Sequence, residues 1–466
     1  MNSMNANRRP NLNLELDPDY CPAILVYKSF IDEVKSSKNP QKMIIAIERH
    51  HGYISRFETF VFHDDEQKDE ENKTMLERIV KSLLWIKGGY KIYYSGPLSI
   101  GVYLKEIYGT HALRNFDVQF MEKIYEHSFS FDIVHASLIP QENENAVSLG
   151  RNLNGCRIGF DAGGSDRKVS AVIDGVTVYS EETVWSPKLQ QDPNYHYQGI
   201  LDSIKRAASK MPHLDAIGVS SAGVFIENRI MAASLFMSVT QSKYEPFIKD
   251  MYLNIAKELG NVQIEVANDG DVTALSGAMN LNVSNILGIA MGTSEAAGYI
   301  DKDGNITGWL NELAFVPVDL NKDSEVDEWS SDYGCGVKYF SQDAVIRLAR
   351  RANIALSDDL TLGEQLKVVQ SLAELKDFKA IEVFKTIGIY LGYSIAYYHL
   401  FYQMEHVMIL GRVTSGQGGQ LILDYAKTLL KNEFPELNQT ISITMPDEME
   451  RRVGQSIAAA SLPYIK

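Results

Sequence analysis

The sequence predicts an α/β protein, and three observations carry that expectation. Apolar strand-like runs alternate with amphipathic helical runs along the chain. Two strands fold back through turns of small residues, RIGFDAGGSDRKVSAVIDG at 157–175 and LGIAMGTSEAAGYIDKDG at 287–304. Between them, an Asn268-Asp269 pair closes the strand-like run QIEVA. Each glycine-rich segment reads as a β-hairpin whose turn leaves backbone N–H groups free. Small side chains admit a phosphate to those donors, so two facing hairpins can hold a triphosphate.

Composition limits the function. With 466 residues, 45% of them hydrophobic and 23% charged, the chain has material for two or three packed cores. A net charge of −15 argues against general binding to nucleic acid, which rests on clustered Lys and Arg releasing counterions. Cys21, Cys156 and Cys335 are odd in number and scattered, offering neither a disulfide framework nor paired metal-ligand spacing. No apolar run is long enough to span a bilayer, and the Asn-rich start lacks a signal-peptide core. The expected setting is a reducing cytoplasm, where ATP is available, with no membrane partner.

Residues 1–18 read as a polar, flexible start. From Met43 the order is hairpin, acidic loop (Asp64 to Glu71), helix (TMLERIVKSLLWIKGG) and strand (KIYYSG). The polar stretch 139–155 marks a domain boundary, giving an N-terminal α/β domain at 1–150 and a two-lobed domain at 151–466. The second region repeats the order hairpin, loop, helix (YQGILDSIKRAASKM), strand (LDAIGVSSAG). Overlaying the two hairpins puts Glu48 on Asp161 and His50-His51 on Gly163-Gly164. The first region is therefore either a degenerate copy or a chance recurrence of a common α/β order. Near the C-terminus, AIEVFKTIGIYLGYSIAYYHLFYQM reads as a buried helix, followed by the strand HVMILG and a glycine turn at Gly411.

Four motifs carry chemistry. They are Asp161-Ala162-Gly163-Gly164-Ser165, Asn268-Asp269-Gly270-Asp271, Gly292-Thr293-Ser294, and Gly411-Arg412-Val413-Thr414-Ser415-Gly416. Each also has a plainer reading as a hairpin turn, a helix cap or a strand-to-helix connection. Together, from about Cys156 onward, they resemble the repressor, open-reading-frame, kinase (ROK) family of sugar kinases in the actin/hexokinase/Hsp70 superfamily. The resemblance implies an actin-like, ribonuclease H-like fold whose two lobes close over ATP and a sugar. Asp161 would then hold Mg2+ through water, with Gly163, Gly164, Ser165, Gly292, Thr293 and Ser294 around the phosphates. Gly411 and Arg412 would pack against adenosine. Asp269 would be the catalytic base, taking the proton of the acceptor hydroxyl, and Asn268 and Glu312 would bind the acceptor with it.

The departures from the family pattern matter equally. Its sugar motif G-E-x-G-H stands here as Asn311-Glu312-Leu313-Ala314-Phe315, keeping the glutamate and losing the histidine. Cys335 matches one of three zinc-binding cysteines, so structural zinc is not expected. Val337 replaces a second sugar-contacting glutamate, and Glu295 places an anion beside the second phosphate turn. These changes predict altered or abolished recognition of glucose-like acceptors. The leading expectation is an ATP- and Mg2+-dependent carbohydrate kinase, with a homodimer as the assembly the resemblance suggests. The alternatives are a sugar-responsive ROK transcription regulator, whose winged helix the fragment IERHHGYISRFE resembles, and a nucleotide- or sugar-binding sensor without catalysis.

Overall fold

The computed structural model describes residues 10–11, 14–144, 149–446 and 448–465. The chain divides into two units that interleave in sequence. The first takes its residues from 1–145, 289–296 and 309–445, and the second from 146–288, 297–308 and 446–466. The change of unit at 145–146 falls beside the boundary expected near 150, and the first unit takes in later segments as well. The early segment buries its apolar side chains against residues some 300 positions later: Tyr20 packs on Tyr390 at 4.5 Å, and the Ala23 amide bonds the Val318 carbonyl. Within the expected flexible start, residues 1–9 and 12–13 lie outside the described residues, but Leu14 and Asp17 are buried, and Asp17 pairs with Arg351 at 2.7 Å.

The first unit begins with α1 (Ala23–Lys35), β1 (Gln41–Glu48), β2 (Ile54–Val61), α2 (Asp69–Lys87), β3 (Lys91–Ser95), α3 (Leu98–Ile107), α4 (Asn115–Tyr125) and β4 (Ser130–Ile133). The strands form a sheet in the order β2-β1-β3-β4. The expected acidic loop ends sooner than predicted, because Asp69, Glu70 and Glu71 form the first turn of α2, where the helix dipole favours anions.

The second unit follows with β5 (Cys156–Ala162), β6 (Asp166–Ile173), β7 (Val176–Val184), α5 (Pro193–Ala208) and β8 (Ala216–Ser221). Then come β9 (Val224–Ile226), β10 (Arg229–Ala232), α6 (Gln241–Phe247), α7 (Met251–Glu258), β11 (Gln263–Asn268) and α8 (Asp269–Leu281). The main sheet runs β11-β8-β5-β6-β7. Its β11, β8 and β5 are parallel, while β5, β6 and β7 form an antiparallel meander. Ile158, Phe160, Ile200, Ile204, Val219 and Ile255 meet in its core.

This pairing also differs between the two regions whose order of elements matches. The strand after the helix runs parallel to the hairpin's first strand in β5 and β8, but antiparallel to it in β1 and β3. The two regions share an order of elements along the chain and differ in how the returning strand enters the sheet.

The hairpin β12 (Ile286–Met291) and β13 (Glu295–Ile300) comes next. After it the first unit resumes with α9 (Gln342–Arg351), α10 (Leu362–Glu374), α11 (Phe378–Tyr398), β14 (His406–Leu410), α12 (Gly416–Glu433), α13 (Pro435–Thr440) and β15 (Ser442–Thr444). These strands are ordered β13-β12-β14-β15. The predicted buried helix is α11. Its Gly388 and Gly392 let α12 come close, since a Cβ on Gly388 would stand 2.7 Å from the Ile422 carbonyl and one on Gly392 3.0 Å from the Leu429 Cβ. The last helix, α14 (Glu448–Ala460), packs on β5 and α8 in the second unit.

Candidate functional site

In the second unit, Asp161 sits at the penultimate position of β5. It lies opposite Ser220 on the parallel strand β8 and opposite Lys168 on the antiparallel strand β6. Ser220 Oγ donates to its Oδ1 at 2.9 Å. Burial pushes the Asp161 carboxyl up to about 6; the Ser220 bond works against this, and the Asp269 charge adds to it. The turn after it carries Gly163, Gly164 and Ser165. Trp185 Nε1 fixes the turn by donating to the Gly163 carbonyl at 2.8 Å, and a Cβ on Gly163 would stand 2.7 Å from the Asp166 carbonyl. The amides of Gly164 and Ser165 have no acceptor among the described residues.

Asn268 and Asp269 lie where β11 gives way to α8. The Asn268 side chain caps the helix, accepting from the Gly270 amide at 2.7 Å while its Nδ2 donates to the Gly223 carbonyl at 2.7 Å. The cap reading therefore holds for Asn268 and leaves the carboxylate of Asp269 at the first helical position. Asp269 Oδ1 accepts from the Gly270 amide at 3.0 Å. Burial raises its pKa, with that backbone bond opposing the rise. Asp161 and Asp269 thus occupy the carboxyl ends of parallel strands of one sheet, the side on which open α/β sheets gather ligands.

In the first unit, the turn of the β12–β13 hairpin is held by the Gly292 amide bonding the Ser294 carbonyl at 2.9 Å and by the Gln342 amide bonding the Gly292 carbonyl at 2.8 Å. Thr293 and Ser294 are exposed. Gly411 has φ 105°, and a Cβ there would run into the Met291 backbone, so the strand-to-helix turn after β14 lies directly against the start of this turn. Arg412 is exposed, and its carbonyl accepts from Gln370 Nε2 at 2.7 Å. The structure therefore brings Gly292, Thr293, Ser294, Gly411 and Arg412 into one region.

Glu312 belongs to the same unit, and what positions it comes from the N-terminal region. The Asn311 and Glu312 amides donate to the Ile86 and Trp85 carbonyls, at 2.9 and 3.0 Å, at the C-terminal end of α2. Those carbonyls lie in the last turn of the helix, where no intrahelical donor remains for them. Phe315 packs on Trp85 at 4.2 Å and on Phe116 at 5.6 Å. Val337 is half-buried in a 3-10 turn at Gly336–Lys338. Glu295 is buried, with neither carboxyl oxygen hydrogen-bonded. Burial pushes its pKa well up, and the charge of Glu312 raises it further.

The loop leading to Cys335 is held by charge. Asp332 accepts from Arg78 at 3.0 and 3.2 Å and from Arg114 at 2.8 Å, and pairs with Lys81 at 2.9 Å; Glu77 and Asp117 complete the buried group. Cys335 Sγ faces the carbonyls of Asp332 and Tyr333 at 3.8 and 3.9 Å, and burial lifts its thiol to about 12. One protonated thiol, with Phe315 in place of the histidine, does not fit a four-ligand zinc centre. The contributions of α2 and of Asp332 escaped the sequence reading. The available signal was Glu77, Arg78 and Lys81 embedded in an otherwise apolar helical run.

No protein-family model matches the sequence, and no curated protein matches it. Among solved structures, the chain is similar to a ROK family transcriptional regulator homologous to the E. coli Mlc protein, with a TM-score of 0.54 and 14% identity over 66% of this chain and 79% of that one. It is also similar to a ROK hexokinase from Thermus thermophilus, with a TM-score of 0.50 and 15% identity over 65% of this chain and 97% of that one. The protein therefore has the actin-like ROK fold, with about a third of its chain outside the likeness. No helix among the described residues is long and apolar enough to cross a membrane.

Proposed function

We propose that this protein transfers the γ-phosphoryl group of ATP to a hydroxyl of a sugar or sugar-like acceptor. One observation carries the reading: two carboxylates, Asp161 and Asp269, stand at the carboxyl ends of β5 and β11, close enough for the charge of one to raise the pKa of the other. Their surroundings suit them to different tasks.

Asp161, beside a turn with free amides, is the group to hold Mg2+ through water, and the bound ion would neutralise charge on the phosphates. Asp269, held at the first position of α8 by the Asn268 cap, would take the hydroxyl proton as the acceptor oxygen attacks phosphorus. Asn268 fixes the backbone that aims it. The amides of Gly164 and Ser165 would bind phosphate oxygens. The Gly292–Ser294 turn would contribute a second set of donors, and Gly411 and Arg412 would flank adenosine. Glu312 would accept hydrogen bonds from acceptor hydroxyls.

A coupled ADP-release assay over hexoses, amino sugars and polyols, with and without Mg2+, tests this. Asp269→Ala should lower turnover at least ~1,000-fold on the best acceptor, in line with removal of a general base from a phosphoryl-transfer site. An Asp269→Ala protein as fast as the parent would remove the assignment.

Phe315 favours a second reading, a sensor that binds ligands without turnover. Its ring is committed to Trp85 and Phe116, so the acceptor loses a polar contact at that position. ATP and sugar binding without ADP release in any arm of the screen would select this reading. The regulator reading loses its sequence support, because the fragment Ile47 to Glu58 forms a β-hairpin closed by a 3-10 turn at His50–Gly52 and provides no recognition helix.

A further inference from the structure

We propose that Cys156, His213 and Asp215 form a binding site for a zinc-class divalent ion in the second unit. Their ligand atoms, a thiol sulfur, an imidazole nitrogen and a carboxylate oxygen, all lie within 4.8 Å of one another. A tetrahedral zinc ion with bonds of about 2.0–2.3 Å holds its ligands roughly 3.3–3.6 Å apart. The pair His213 Nε2 and Asp215 Oδ2 already stands at 3.2 Å, so closing the third corner asks for a side-chain adjustment of about an ångström.

The backbone prepares this arrangement. Cys156 opens β5 and Asp215 directly precedes β8, and the two residues exchange bonds: the Asp215 amide donates to the Cys156 carbonyl at 2.9 Å, and the Cys156 amide donates to Asp215 Oδ2 at 2.8 Å. His213 extends from the loop after α5. Its side chain is 63% exposed, so an ion would enter from the imidazole side, with water as the fourth ligand. The ligand set mixes soft sulfur with nitrogen and oxygen, which favours Zn2+ over Mg2+. On binding, the thiol and any imidazolium release their protons to solvent. The site lies at the opposite end of β5 from Asp161, five residues or roughly 16 Å along the strand.

Titration of the untagged, full-length protein with Zn2+ by calorimetry and with Co2+ by absorption tests the proposal. One ion per chain and a thiolate-to-cobalt charge-transfer band are expected. His213→Ala, at an exposed position, should weaken binding at least ~10-fold with circular dichroism unchanged, and Cys156→Ser should abolish the band. Failure of the parent to bind either ion, or undiminished binding by folded His213→Ala, overturns the assignment. Neither readout depends on kinase activity.

Discussion

Ser220 Oγ lies 2.9 Å from Asp161 Oδ1, and the two residues are direct neighbours in the parallel pairing of β5 with β8. The bond stabilises the ionised form of a carboxyl that burial pushes up to about 6. Removing it should raise that pKa further. Ser220→Ala is therefore expected to move the acid limb of the kcat/KM profile to higher pH by roughly half to one pH unit, leaving the alkaline plateau in place. An unchanged limb would separate Asp161 from the titration that governs activity.

Glu295 gives a prediction in stability. Its carboxyl is buried and makes no hydrogen bond, and burial followed by the charge of Glu312 raises its pKa well above the ordinary value. The folded state thus holds this proton more tightly than the unfolded chain. Stability is greatest below the unfolded pKa, near 4.5, and declines as pH rises from there toward the folded value. Glu295→Met should gain about 1–3 kcal/mol at pH 8, the range for an unsatisfied buried polar group, and much less at pH 4.5. Urea midpoints at the two pH values measure both quantities. An equal gain at each would assign the effect to packing.

What could be read from the sequence was local. The turn at Gly163-Gly164, the hairpin around Gly292 and the Asn268-Asp269 junction announce themselves through residues adjacent in the chain, and the structure forms each of them. What could not be read was set by pairing over long separations. Nothing local distinguishes β3, which joins its sheet antiparallel to β1, from β8, which joins parallel to β5. Trp85 and Ile86 read as one apolar face of a helix, yet their carbonyls place Glu312 and the Trp85 ring takes Phe315. Asp332 reads as a loop residue, but its partners Arg78, Lys81 and Arg114 lie more than 200 positions earlier.

That charge group has a direct test. Burial pushes the Asp332 carboxyl up, but Lys81, Arg78 and Arg114 overcome it and hold the group well below the usual carboxylate range. The stabilisation is present above the unfolded pKa, near 4, and is lost as pH falls from there toward the folded value. Asp332→Asn leaves three buried cations short of a partner and should cost about 3–5 kcal/mol at pH 7. The penalty should shrink below pH 4, as the unfolded chain of the parent takes up a proton that the folded protein does not. Denaturant unfolding at pH 7 and pH 3.5 follows both effects, and a loss below 1 kcal/mol at pH 7 would show that the group contributes little net stability.

Gly411 tests whether its turn serves the nucleotide. At φ 105° an L side chain is strained, and the Met291 backbone occupies the place of a Cβ. Gly411→Ala must therefore displace the turn from the β12–β13 hairpin, the relationship that would put adenosine beside the phosphate donors. Calorimetric affinity for a non-hydrolysable ATP analogue should fall about 5- to 150-fold, the equivalent of a backbone strain on the order of 1–3 kcal/mol. Gly363 supplies the control: it has an ordinary φ and no atom within 4 Å of a new Cβ, so Gly363→Ala should bind as the parent does. If Gly411→Ala loses stability yet keeps its affinity, the turn is only a connection between β14 and α12, and adenosine must be held elsewhere.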